Sequence, residues 1–176
     1  MAAAFITLAA VFLMMLIEGQ LSRHNERVLR SRGAIEPSDD GYRVMRWVYP
    51  ACFLAMGVEA GVVGPKARDT ILAGLAIFGL AKALKFWAIA SLGIRWSFHV
   101  LVLPGAPLVS TGPYRYLRHP NYVALCGEIV GIAVMLGAWV SGLAALICFG
   151  YLLRRRIAIE ERVMAEIVPR SEPRPT

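Results

Sequence analysis

The stretch GPYRYLRHPNYVALCGE, residues 112 to 128, gathers the side chains of this chain best suited to chemistry. Two prolines, three tyrosines, two arginines and a histidine lead directly into an apolar run. Pro120 suits the first turn of a helix, where its missing N–H costs nothing, and Asn121 and Tyr122 follow it. The N-terminus of that helix presents free N–H groups and positive potential, a place for a carboxylate. Arg118 adds a forked donor, and Tyr114, Tyr116 and Tyr122 offer flat faces for a purine ring or a sulfonium. A second polar set, RRRIAIEERV from residue 154, reads as a helix. Arg156 and Glu160 stand at i and i+4 on one face of it, with Glu161 beside them. Each feature has a plain reading as well. Tyrosines and arginines anchor membrane boundaries, and an i, i+4 ion pair is worth a few tenths of a kcal/mol. Gathered on one face of one helical hairpin, they form a polar pocket for an ampholyte with an aromatic base.

The elements that must position these groups read as membrane helices. Of the 176 residues 57% are hydrophobic and only 18% are charged, less charge than a soluble domain of this length carries. The formal net charge is +7, but the basic residues cluster at the ends of apolar runs, which excludes a nucleic-acid patch and fits a membrane protein. Cys52, Cys126 and Cys148 lack CxxC spacing and read as apolar helix residues, so neither a disulfide nor a metal site is expected. The spacing predicts an all-α integral membrane protein, one domain over 1–176, with five passes at about 2–21, 44–64, 70–90, 122–137 and 139–153. The first pass lacks a basic leader segment and reads as a retained helix. The last two passes form an antiparallel hairpin. Arginines crowd the segments around 22–43, 92–121 and 154–176, which puts those segments, and the pocket, on the cytoplasmic side.

Charges fall inside the passes too. Lys82 and Lys85 sit one turn apart, and Glu128 lies about 9 Å into the fourth pass at 1.5 Å per residue. Lys85 and Glu128 enter from one side at similar depth. They form either a buried ion pair or the polar floor of a site. Glu59, at the far end of the second pass, is expected to be neutralised by Lys66 or Arg68 and to have no functional part.

The run LVSTGPYRYLRHPNY, followed beyond the hairpin by RIAIEE, is similar to the membrane methyltransferases of the isoprenylcysteine carboxyl methyltransferase family. The motif pair RHPxY and RxxxEE carries the likeness, over a motif core of about 92–166. The resemblance implies a cytoplasmic S-adenosylmethionine site. Its cofactor-binding residues fall here on His99, on Ala106, Pro107, Leu108 and Val109, on Tyr114, on His119, Pro120, Asn121 and Tyr122, and on Glu160. Arg156 falls on the arginine that meets substrate. Arg118, Glu128, Lys85 and Glu161 are further candidates. The earlier segment RHNERVLRSRGAIE, with Tyr42, resembles a bacterial subgroup encoded beside type III polyketide synthases, which O-methylates long-chain alkylpyrones or alkylresorcinols. The eukaryotic prenylcysteine enzymes continue into an aromatic tail, whereas this chain runs RVMAEIVPRSEPRPT.

The expected partners are therefore a lipophilic small molecule and membrane lipid, with no nucleic acid. Methyl transfer from a sulfonium needs the nucleophile, methyl and sulfur held in line and water excluded. A carboxylate needs no base, whereas a phenol gains from one. The rival readings are a prenylcysteine carboxyl methyltransferase, a phospholipid N-methyltransferase or sterol-type reductase, and a non-enzymatic scaffold or transporter subunit. Inverted repeats would favour a transporter, and none is visible.

Overall fold

The computed structural model describes residues 2–37 and 39–167, which form five α-helices. They are α1 (Ala2–Ser31), α2 (Tyr42–Val63), α3 (Arg68–Leu92), α4 (Pro120–Leu136) and α5 (Trp139–Ile167). The tail beyond residue 167, read above as lacking an aromatic segment, lies outside the described residues. Two of the five, over Phe5–Ser31 and Arg68–Arg95, are long and apolar enough to cross a membrane, and Pro120–Leu136 is apolar but shorter. Charges explain why α2 and α5 fall short by the same measure. Arg43, Arg46 and Glu59 interrupt α2, and α5 runs without a break from its apolar half through Arg154–Arg156 to the acidic pair.

Helix ends differ from the sequence expectation in one instructive place. The first apolar run stops near residue 21, yet α1 continues to Ser31. The extra turns hold the long segment between α3 and α4. Asn25 Nδ2 donates to the Trp96 carbonyl at 2.8 Å, the Phe98 N–H donates to Ser22 Oγ at 2.7 Å, and Ile35 pairs with Val102 in an isolated antiparallel bridge.

Small residues bring α3 and α4 together antiparallel. Gly74 faces the Met135 backbone, Gly131 faces Phe78 and Gly127 faces Ala81. A Cβ on Gly131 would lie 2.6 Å from the Phe78 nitrogen, so only glycine allows that approach. This is the small-residue packing that apolar helices use where hydrophobic burial cannot drive association. The α4–α5 turn is closed by Gly137 at φ +63°, with the Ala138 N–H on the Ala133 carbonyl at 2.9 Å. That is a Schellman cap, and it makes the two helices the tight hairpin the sequence requires.

Glu59 has a structural task beyond any charge pairing, capping the start of α5 by accepting the N–H groups of Val140 at 3.1 Å and Ser141 at 2.7 Å. A carboxylate at a helix start satisfies orphan donors and opposes the helix dipole. The apolar core runs through Phe53, Met56, Ile129, Ile132 and Phe149. The outer faces stay apolar: Leu16, Val62, Leu80 and Ile147 are each more than half exposed, on four different helices. Apolar surface distributed this way marks contact with lipid or another apolar partner.

Candidate active site

The site is built where α4 begins and α5 leaves the hairpin. A 3-10 turn at Gly112–Arg115 delivers the chain to His119 and then to Pro120 at the first position of α4. Tyr122 follows two residues later and meets the polar half of α5. Its hydroxyl donates to Glu160 Oε2 at 2.7 Å and accepts from Arg156 Nε at 3.0 Å. Arg156 and Glu160 therefore do not pair directly across their i, i+4 spacing; the Tyr122 phenol stands between them.

Arg156 is buried, at 6% exposure, and its donors are largely committed. Nη1 donates to the Asp40 carbonyl at 3.2 Å, Nη2 donates to the Phe98 carbonyl, and the Asp40 carboxylate lies 4.0 Å from Nη1. Five N–H groups less three hydrogen bonds leave one hydrogen on each terminal nitrogen. Asp40 also accepts from the N–H of Val100 at 3.2 Å and of Tyr42 at 2.9 Å. The short α1–α2 connection thereby ties the α3–α4 loop to α5.

Two cavities open on either side of this junction. One, of about 150 Å³, is lined by His99, Ala106, Pro107, Leu108, Val109, Tyr122, Arg156 and Glu160 among others. The other, of about 450 Å³, runs between α1 and α2. Its lining includes apolar side chains such as Phe12, Met15, Met45 and Phe149, together with Asn121, Tyr122, Lys85 and Arg156. Ser97, Tyr122 and Arg156 line both.

The candidate residues thus divide. Those from His99 to Val109, with Tyr122, Arg156 and Glu160, converge on the smaller cavity, and Asn121 and Lys85 belong to the larger. Tyr114, His119, Pro120, Arg118, Glu161 and Glu128 line neither. His119 stacks on Tyr122 with ring centroids 5.4 Å apart, its Nδ1 3.9 Å from Glu160 and its Nε2 3.4 Å from Glu161. Arg118 is exposed, 3.8 Å from Glu161. Burial, with the Glu160 charge nearby, pushes the Tyr114 phenol above its ordinary pKa.

His99 has an unexpected neighbourhood. Its Nδ1 lies 2.9 Å from Glu36 and 3.0 Å from Asp40, neither contact well directed as a hydrogen bond. These three groups are metal-ligand types within 4.8 Å of one another. Each carboxylate, however, already faces a guanidinium: Arg30 lies 2.8 Å from Glu36, and Arg156 lies by Asp40. The two negative charges that a dication would need are already matched.

Deeper in the bundle, Lys85 and Glu128 do pair, at 3.2 Å, within a larger network. Lys82 bridges Glu18 at 2.8 Å and Glu128 at 2.9 Å, Lys85 reaches Glu18 at 2.6 Å, and the Tyr49 hydroxyl donates to Glu128 at 2.9 Å. Two cations and two anions from α1, α3 and α4 cancel there, all nearly inaccessible.

The sequence profile of the isoprenylcysteine carboxyl methyltransferase family matches residues 72–166, from α3 through the acidic pair of α5. The chain is 30% identical over 149 residues to YpbQ of Bacillus subtilis, an uncharacterized protein, covering 85% of this chain and 89% of that one. It is 27% identical over 167 residues to an uncharacterized protein of Haemophilus influenzae, covering 94% of this chain and 97% of the other. No solved structure matches it. The profile spans both the RHPNY and the RIAIEE segments, whose side chains meet at Tyr122. The chain belongs to the isoprenylcysteine carboxyl methyltransferase family, and that membership points to an S-adenosylmethionine-dependent methyltransferase associated with the membrane.

Proposed function

We propose that this protein is a five-pass membrane O-methyltransferase, its site facing the cytoplasm, that methylates a long-chain alkylpyrone or alkylresorcinol. The observation that carries the reading is the pair of unlike cavities meeting at Tyr122 and Arg156. The smaller, with the Glu160 carboxylate in its wall, suits the ammonium-bearing end of S-adenosylmethionine, and at about 150 Å³ it holds only part of that molecule. His99, the 106–109 segment and Tyr122 line the same space, and Tyr114, His119, Pro120 and Asn121 build its support. When bound, the cofactor supplies an electrophilic methyl on a sulfonium. The larger cavity suits an alkyl tail entering sideways from lipid between α1 and α2.

Arg156 orients the acceptor oxygen with its two remaining N–H groups. Its charge is partly matched by Asp40 at 4.0 Å. A full carboxylate, as in a prenylcysteine, draws its advantage from an unshared bidentate fork. A phenol or enol oxygen asks less of the guanidinium. A phenol of ordinary pKa near 10 must also lose its proton. The Tyr122 hydroxyl can accept that proton as it passes its own to Glu160. Exclusion of water falls to Trp96, Phe98 and the stacked His119.

The test is methylation by purified protein in mixed micelles, with radiolabelled cofactor and three acceptors: an alkylresorcinol, an alkylpyrone and farnesylcysteine. Methylation of either polyketide in preference to farnesylcysteine is expected. Farnesylcysteine as the sole acceptor would overturn the substrate class and leave methyl transfer standing. Cofactor binding with no methylation of any of the three would overturn O-methylation of these lipids altogether.

A further inference from the structure

The larger cavity has an exposed mouth between α1 and α2 and a buried body. Leu16 and Trp47 at the mouth are 62% and 69% exposed, whereas Phe149 and Arg156 at the back are buried. Arg23 and Arg46 stand exposed at the same mouth. Arg23 lies just past the apolar run of α1, and Arg46 lies one turn into α2. Both guanidiniums therefore sit where the two helices leave their apolar stretches, the level of lipid headgroups. Contacts tie them into one rim. Tyr42 and Arg46 share a face of α2 at i and i+4. The Tyr42 ring lies 5.8 Å from that of Phe98. Arg23 Nη1 and the edge of the Phe98 ring each lie 3.7 Å from the point where a Gly19 Cβ would stand. The charges of Arg46, Arg23 and Arg156 all bear on the Tyr42 hydroxyl. Glu26 bears on it too, but already accepts from Ser22 at 2.6 Å and faces Arg30 at 4.0 Å.

The remaining polar groups of the lining are committed. Glu18, the one carboxylate among them, holds Lys82 and Lys85. The Tyr49 hydroxyl donates to Glu128, and Ser97 Oγ donates to the His99 carbonyl at 2.6 Å. Tyr122 and Arg156 are bound as described above. The Trp96 indole nitrogen and the Asn121 side-chain oxygen are shut off from the space. Arg30, Arg118 and Arg156 each face a carboxylate. Among the described residues Arg23 and Arg46 have none, and Arg46 instead lies over the Trp47 ring at 5.1 Å. The mouth thus joins two unmatched positive charges to an apolar opening. An uncharged chain would cover Leu16 and Trp47 and leave both charges unmatched. A zwitterionic headgroup would bring a cation of its own to them. A free phosphate would match the charges and leave the apolar opening bare. An acidic phospholipid does both.

We infer that the mouth is a seat for one acidic phospholipid. Its phosphate lies between Arg23 and Arg46, beside the Tyr42 hydroxyl, and one acyl chain runs over Leu16 and Trp47. The seat requires α1 and α2 to lie in a membrane, but it does not depend on which acceptor is methylated. It borders the entry route proposed for an acceptor tail and leaves the buried body of the cavity to that tail.

Trp47 reports on the seat directly, because bromine on an acyl chain quenches an indole that it touches. The protein is placed in phosphatidylcholine nanodiscs that hold a fixed minor fraction of brominated phosphatidylglycerol or, separately, of brominated phosphatidylcholine. The emission of Trp47 is the difference between each protein and its Trp47→Phe counterpart. Methyl transfer plays no part in this readout, so the two readings fail separately. Wild type is expected to take the acidic lipid in preference to the zwitterionic one by about tenfold or more, since each arginine at the headgroup level contributes about fivefold. Arg23→Gln with Arg46→Gln should erase most of that preference, and Arg23→Lys with Arg46→Lys should keep most of it. Arg154→Gln with Arg155→Gln is the control, because those arginines are exposed and line neither cavity. Unfolding midpoints report that each variant is folded. A preference lost in the first pair and kept in the control supports the seat. No preference at Trp47 in wild type, a preference that survives Arg23→Gln with Arg46→Gln, or one that the control reduces as much overturns it. Abolition of the preference by millimolar inorganic phosphate would show a site for a free anion and overturn it as well.

Discussion

Two polar regions of this molecule hold charge in opposite ways. In the bundle, Glu18, Lys82, Lys85 and Glu128 satisfy one another, each cation touching both anions. At the junction of α4 and α5, Arg156, Tyr122, Glu160, Asp40 and His119 make a chain, with one phenol joining the cation to the anion. The first arrangement is closed. Its charges are fixed partners that cannot change hands without leaving an ion bare in an apolar surrounding. The second is open: Tyr122 can pass a proton, Glu160 is only half-buried, and Arg156 keeps two hydrogens free. Burial of charge inside a helical bundle thus does not by itself mark the place of chemistry, and the number of uncommitted donors and acceptors separates the two regions.

The sharpest way to break that comparison is to remove one member from each region and ask what fails. Glu128→Ala leaves Lys82 and Lys85 facing only Glu18 and takes away the acceptor of Tyr49. Breaking a buried pair from one side typically costs about 3–5 kcal/mol. Thermal unfolding in detergent should show a large loss of stability, with cofactor affinity in the surviving folded fraction near that of wild type. A Glu128→Ala protein as stable as wild type would mean that the network is not the closed structural unit described.

The converse is expected at the junction. Glu160→Ala removes a half-buried carboxylate and the acceptor of the Tyr122 hydroxyl, and should cost about 1–2 kcal/mol of stability, less than Glu128→Ala. S-adenosylmethionine affinity by calorimetry should fall about tenfold or more, the cost of a charge-assisted contact. Arg156→Ala should reduce turnover while cofactor affinity stays near wild type. Equal loss of cofactor in both variants would mean that Arg156, Tyr122 and Glu160 act as one structural unit, and the division of roles would fall.

How much of each region was legible in the sequence follows from its contact distances along the chain. Lys85 and Glu128 could be paired because both lie on helices whose ends on one side are marked by the same loop, so depth can be counted at about 1.5 Å per residue. Glu18 was missed for the same reason in reverse. The apolar run ends near residue 21, which places Glu18 at a helix edge. In fact α1 runs to Ser31, so Glu18 lies well inside it. The five helices were legible from hydropathy, and the α4–α5 hairpin from the near absence of a linker. The RHPNY and RIAIEE motifs gave Tyr122, Arg156 and Glu160 but not the phenol's place between the other two, since i, i+4 spacing favours a direct pair. Asp40 carried no signal. It lies 116 residues from Arg156, in a short connection outside the segment matched by the family profile, and only the folded loop brings its carbonyl to the guanidinium.

Asp40 gives the smallest and most discriminating expectation. Its backbone carbonyl, not its carboxylate, makes the hydrogen bond to Arg156 Nη1, and Phe98 and Tyr122 hold the rest of the guanidinium. Asp40→Asn therefore leaves Arg156 in place. One Asn oxygen can still cap Tyr42 through its backbone N–H, as Asp40 Oδ1 does now. What changes is the acceptor of the Val100 N–H, which becomes an amide NH2, and a negative charge 4.0 Å from Nη1 and 3.0 Å from His99 Nδ1. With that charge gone, Arg156 faces the acceptor as a less compensated cation. Turnover of a phenolic acceptor should fall by less than about tenfold, with KM for the cofactor little changed, while a carboxylate acceptor such as farnesylcysteine should gain relative to the phenol. The readout is the ratio of kcat/KM for the two acceptors in wild type and variant. If the ratio does not move, the Asp40 carboxylate has no say in which acceptor Arg156 prefers, and its part is confined to bracing the loops around Val100 and Tyr42.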